Sequence, residues 1–215
     1  MKLTSALSLL ALAVVPAMSS ATSAFTIDFN TVGANFDAVD NHYAAQGVSF
    51  TNVLTLVNGD GLGSLADGNY FTPSASLGAG VAFVQLDGVA NTASYMNVAN
   101  AVDYVLNFDY TAIVGNDIPA AAISAYSGLN GTGTYLGSYT LSSNGSTLDA
   151  DIWSHATFNF AGQAHSFVLT GLSDLAAPGS YVAIDNISAV PEASSLALAA
   201  AALGVVGIAA RRRQA

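Results

Sequence analysis

Thirteen aspartates, spread from Asp28 to Asp185, hold nearly all the acid chemistry of this 215-residue chain, and no Lys or Arg lies between residues 3 and 210 to neutralise them. Carboxylates in that number suit two kinds of chemistry. One is coordination of a hard divalent cation by oxygen ligands, which would also relieve the mutual repulsion of an uncompensated acidic body. The other is hydrolysis by a carboxylate pair, for which Asp149 and Asp151 would share a strand face. A solvated strand edge is the plainer reading of those two residues. Asn58-Gly59-Asp60-Gly61 and Asp67-Gly68-Asn69 suggest an oxygen-rich loop. Leu62 stands where a calcium loop of the EF-hand type needs a ligand, and no Glu follows, so a Gly-rich turn is the plainer reading. Other catalytic devices are missing. There is no Cys, which excludes disulfides, thiolate metal sites and Cys nucleophiles. No Gly-x-Ser-x-Gly elbow occurs, and His42, His155 and His165 show no His-Glu-x-x-His spacing. His155 and His165 read as strand-face residues without ligand duty. A formal net charge of −10 with no basic patch excludes a nucleic-acid partner.

The elements that must position these residues are strands. Residues 25–189 alternate short β-favouring runs with Gly, Asn, Asp and Ser turns. Phe25 to Phe29 opens the domain, and Val81 to Leu86 is a buried-strand run. Asp103 to Tyr110 places Tyr104, Leu106, Phe108 and Tyr110 on one face at period two, with Asp103, Asn107 and Asp109 opposite. Trp153 to Phe160, His165 to Thr170 and Tyr181 to Ala189 complete the series, with Asn130-Gly131 and Asn144-Gly145 as turns. The spacing predicts an all-β domain, a jelly-roll-like β-sandwich. Tyr95, Tyr126, Tyr135, Tyr139 and Trp153 are the aromatics that could serve either its core or a sugar-binding platform.

The four cations sit only at the ends. Lys2, the apolar run Leu7 to Val15, Pro16 and the small residues Ala17 to Ala24 read as a signal peptide over residues 1–24. Cleavage by signal peptidase would leave Thr22 or Phe25 as the mature start. At the other end, residues 194–210 carry no charge and would form a helix of about 26 Å, near the thickness of a bilayer core. Arg211, Arg212 and Arg213 follow and, by the positive-inside rule, stay cytoplasmic. The division expected is a signal peptide at 1–24, a β-sandwich at 25–189 and a sorting tail at 190–215.

Val190-Pro191-Glu192, the apolar helix and the Arg cluster occur in that order within about 25 residues, and together they resemble the PEP-CTERM sorting signal. Ala193 stands where the pattern prefers Pro. The resemblance implies a Gram-negative exported protein made alongside exopolysaccharide. It also implies processing near the motif by exosortase, a membrane-embedded cysteine-type transpeptidase. The protein would be held transiently in the inner membrane and then released to the cell surface or medium.

The body resembles extracellular β-sandwich domains carried by proteins with this signal, and lectin-like jelly rolls. The resembling pieces are Ile27-Asp28-Phe29, the run Asn41 to Phe50, and Val182 to Ile187. In related jelly rolls the first and last strands lie close, and carboxylates with backbone carbonyls hold a structural calcium there. That resemblance implies Asp28 and Asp185 as calcium ligands. Turn capping or hydrogen bonds to backbone N–H groups is the competing role for both. The expected function is a non-catalytic exported surface or matrix protein associated with exopolysaccharide. A specific carbohydrate-binding module is the alternative, and a secreted Asp-dependent hydrolase the third.

Overall fold

A computed structural model of the chain describes residues 24–33, 37–57, 80–83, 94–113, 121–144, 152–170 and 181–189. Residues 1–23 of the expected signal peptide, the segment 194–210, the 58–61 and 67–69 turns, and Asp149 with Asp151 lie outside the described residues. Among the described residues no helix is long and apolar enough to cross a membrane.

Nine strands account for most of what is described: β1 (Phe25–Ile27), β2 (Val48–Thr51), β3 (Leu54–Val57), β4 (Gly80–Phe83), β5 (Ser94–Ile113), β6 (Ala121–Tyr126), β7 (Tyr135–Leu141), β8 (Ser154–Thr170) and β9 (Tyr181–Ala189). They form one antiparallel sheet ordered β3-β4-β9-β5-β8-β6-β7, with β1 added to β9 and β2 to β5. The fold is therefore all-β, as the turn spacing predicts. The two expected runs at 153–160 and 165–170 are a single strand, β8.

The two long strands serve two sets of neighbours. The first part of β5 pairs with β2 and the end of β8, and its second part pairs with β9 and the start of β8. Between these parts the register against β8 slips at Asn97/Val102 and again at Asp103/Val105. Such bulges bend a strand and change the direction of its side chains. Tyr104 sits in this bend with φ 57° and is half exposed, whereas Leu106, Phe108 and Tyr110 are buried. The strict period-two expectation thus holds for three of the four residues and fails where the strand bulges.

The bend folds the sheet onto itself. Tyr139 on β7 meets Phe108 at 5.5 Å and Tyr110 at 6.3 Å between ring centroids, although β7 is hydrogen-bonded only to β6. Phe158 lies 6.2 Å from the same Tyr139 ring and 6.4 Å from Phe167. These edge-to-face and tilted contacts fill the space between the facing parts of the sheet with a continuous apolar core. A second aromatic group, Phe29, Tyr43 and Phe50, covers the neighbourhood of β1.

Candidate functional site

The first strand is brought to the last by direct pairing. Ile27 faces Ile187 in the β1–β9 ladder, so Asp28 leaves β1 beside Asn186. On its other side β9 pairs with β5, where Asp109 stands opposite Asp185. The β4 ladder reaches β9 only at Ala183 and Ile184. Asp185 and Asn186 therefore occupy the short interval between the end of the β4 pairing and the start of the β1 pairing. Two residues with positive φ shape this interval. Asn186, at φ 50°, absorbs the register shift between β9 and β5, and Phe29, at φ 51°, turns the chain away from β1. Gly80 closes the gap from β4. A Cβ there would collide with the Phe29 carbonyl oxygen, and the Gly80 N–H donates to Asn30 Oδ1 at 3.0 Å.

Asp185 has no solvent exposure. Its Oδ1 accepts the Asn186 N–H at 2.7 Å, and its Oδ2 has no hydrogen-bond partner. Burial pushes its carboxyl up to about 8 against the pull of the Asn186 N–H, and the charges of Asp28 and Asp109 push it the same way as burial. Asp28 is exposed, and its Oδ1 accepts the Asn30 N–H at 3.3 Å. Asp109 is committed on both oxygens. Oδ1 lies 2.8 Å from His155 Nδ1, and Oδ2 accepts Asn186 Nδ2 at 3.0 Å. Tyr43 is buried beside the same carboxylates. Burial and then the Asp28 charge push its phenol up to about 12, with a smaller contribution from Asp185. Its hydroxyl oxygen has no partner in hydrogen-bonding geometry, although the Phe29 backbone and Thr31 are near enough to pull the other way.

Asp28 and Asp185 are thus delivered to one place, on adjoining strands, with one side chain exposed and the other buried. Among the described residues no group of three or more His, Asp or Glu side chains is placed to hold a metal. A cation at Asp185 would draw its other ligands from Asp28, from carbonyl or hydroxyl oxygens and from water, a mixture that calcium accepts. The histidines do not converge. His42 Nε2 meets Thr31 Oγ1 at 3.0 Å, His155 meets Asp109, and His165 Nδ1 lies 3.2 Å from the Val98 carbonyl oxygen. Of the five aromatics, Tyr139 packs against the core, while Tyr135 is 56% exposed and stacks edge-on with Tyr126 at 5.7 Å. Asp109, Asn186 and Tyr43 belong to the site but were not evident from the sequence. The alternation places Asp109 on the polar face of its strand, yet nothing in the sequence says that β9 is the neighbour of that strand. Val190, Pro191, Glu192, Arg211, Arg212 and Arg213 lie outside the described residues; β9 ends at Ala189, one residue before Val190.

The solved structures to which the chain is similar include two cleaved adhesin domains of Lys-gingipain, K2 and K3, the latter from Porphyromonas gingivalis w83. The first is 14% identical, covers 78% of this chain and 99% of its own, and has a TM-score of 0.48. The second is 14% identical, covers 78% of this chain and 98% of its own, and has a TM-score of 0.39. Comparison with curated proteins finds no match. The C-terminal residues 189–213 match the PEP-CTERM protein-sorting motif. That motif implies export, transient membrane anchoring and processing by exosortase, a membrane enzyme. The match begins at the last residue of β9 and spans the Val-Pro-Glu run, the uncharged segment and the three arginines, and the chain is therefore one that carries a PEP-CTERM sorting signal.

Proposed function

We propose that the chain is a non-catalytic surface or matrix protein of a Gram-negative bacterium, exported by a signal peptide over residues 1–24 and sorted through its tail into association with exopolysaccharide. The single observation that carries this reading is the sorting motif at residues 189–213. The body, read as a jelly-roll-like sandwich, is what the tail delivers. Its all-Asp acidity and lack of internal cations keep it soluble and self-repelling outside the cell. Residues 194–210 hold it in the inner membrane until exosortase acts near Val190-Pro191-Glu192, with Arg211, Arg212 and Arg213 fixing the cytoplasmic end.

A specific carbohydrate-binding module is the second reading, and exposed Tyr135, edge-on to the part-buried Tyr126, favours it. Edge-on tyrosines with one face free can stack on a sugar ring. The hydrolase reading has Asp149 and Asp151 as its pair, which lie outside the described residues.

Loss of the exosortase from the producing cell tests the proposal. The chain should then accumulate in the inner membrane with its arginines attached, and the exopolysaccharide fraction should lose it. Unchanged release in the exosortase-deficient cell would refute the sorting role. Release that is exosortase-dependent, with no material sedimenting with exopolysaccharide, would keep the sorting and remove the matrix association.

A further inference from the structure

We propose that the free edge of β7 is the pairing surface for a second copy of this chain, which adds its own β7 antiparallel to it and closes a two-fold dimer. The sheet covers its other edges and leaves this one open. At the β3 end, Ala38 bridges Leu54, and the Thr55 N–H donates to the Asp37 carbonyl at 2.9 Å. The outer side of β2 is met in the same way, where the Phe50 N–H donates to the Asp40 carbonyl at 2.8 Å. β7 stands at the far end of the strand order and, among the described residues, pairs with β6 alone. The N–H and C=O groups on its other side form a template for a further strand. Natural edges are ordinarily blunted by a charge, a proline or a bulge. Tyr135–Leu141 contains no charged residue and no proline. Its register shift against β6 falls between Ala125 and Tyr126, which leaves residues 137–141 in regular pairing.

The charge pattern selects the occupant. Among the described residues the aspartates are Asp28, Asp37, Asp40, Asp103, Asp109 and Asp185, and none lies on β6, β7 or β8. Residues 118–148, which hold β6, the hairpin connection and β7, carry no charge at all. Two copies with a formal net charge of −10 each repel one another, and the uncharged edge is where they approach at least cost. A basic partner would be drawn to the aspartates instead. β7 is also self-complementary. A two-fold axis at Tyr139 sets Ser138 of one copy opposite Thr140 of the other, and both positions are exposed. Opposed hydroxyl side chains of this kind stabilise neighbouring strands. Because the β3 end is covered, the dimer uses the β7 edge twice and stops at two chains rather than growing into a fibre. This inference goes beyond the sorting reading, and either can fail without the other.

The test is sedimentation velocity of the full chain purified in detergent, with the mass of bound detergent subtracted. At micromolar concentration the parent should sediment with the mass of two chains. Added sodium chloride should strengthen the dimer, because screening here removes only repulsion. Thr140→Lys puts a charge at an exposed position of the edge and should reduce the mass to one chain, with the far-UV circular dichroism unchanged. Thr51→Lys, at an exposed position of β2, should dimerise as the parent does. Amide exchange in residues 137–141 should slow as protein concentration rises in the parent and not in Thr140→Lys, which separates this pairing from association through the tail. If Thr140→Lys does not fold, Ser138→Lys at the other exposed position decides the matter. A parent that sediments as a single chain would overturn the proposal. So would a dimer retained in both lysine variants of β7, a dimer that salt dissociates, or assembly beyond two chains.

Discussion

A carboxyl group with no exposure and one bare oxygen makes the stability of this fold depend on what neutralises it. With no cation bound, that is a proton. Burial raises the folded-state pKa of Asp185 to about 8 from the ordinary carboxyl value of 3.8, so between those limits the folded chain keeps a proton that the unfolded chain has lost. The unfolded state then binds fewer protons, and stability falls as pH rises through this window, by at most about 1.4 kcal/mol per pH unit. Asp28, Asp109 and Tyr43 face Asp185, and His155 reaches it only through Asp109. Asp185→Asn should lose most of this slope and, at pH 9, melt above the parent. Thermal melts from pH 5 to 9 check it, and an unchanged slope in the variant would show that Asp185 is not the titrating group. That Asp28 comes beside β9 follows from the resemblance to jelly rolls, in which the first and last strands lie close, and not from any local pattern. The place of Asp109, from the middle of the chain, was not legible, since strand order in a sheet is a tertiary outcome that local pattern does not encode.

The bent strand β5 and the β6–β7 connection decide how the single sheet closes. Phe108 is fully buried against Tyr139 and Tyr110, and Phe108→Ala should cost about 3–5 kcal/mol. Tyr104, only four residues earlier, sits exposed at φ 57°, a conformation Asn accepts readily, and Tyr104→Asn should change stability by less than about 0.5 kcal/mol. Chemical denaturation of the two variants checks the bulge. Equal losses would mean that both rings face the core, as strict alternation predicts. The hairpin connection folds back across the outer face. Asn97 donates Nδ2 to Asn130 Oδ1 at 2.7 Å and accepts the Asn130 N–H at 2.8 Å. Ser166 Oγ accepts the Gly131 N–H at 2.9 Å and donates to the Gly128 carbonyl. Gly131 is required there, at φ 68°, because a Cβ would press on Val168 and Tyr95. Asn97→Ala should cost about 1 kcal/mol and speed amide exchange at residues 128–132. The Asn130-Gly131 turn was readable from its residue types. Its anchoring onto a strand 33 residues earlier in sequence was not, because the partner side chains carry no local signature.

At the scale of the whole molecule, the chain divides its chemistry between a body without cations and two ends that hold all of them. The tail motif was legible because three features must occur in a fixed order, and order survives in sequence. The roles of the body's aromatics were less legible, because exposure decides whether a tyrosine is core or platform. Tyr139 and Tyr135 are both tyrosines of β7, one packed on the core and one facing water. If the tail is a processing signal, its arginines are removed with it. The most direct test is mass spectrometry of the protein recovered from outside the producing cell. The account predicts an N-terminus at Thr22 or Phe25 and a C-terminus near Val190-Pro191-Glu192, with no peptide containing Arg211, Arg212 or Arg213. Recovery of the intact 215-residue chain would contradict it.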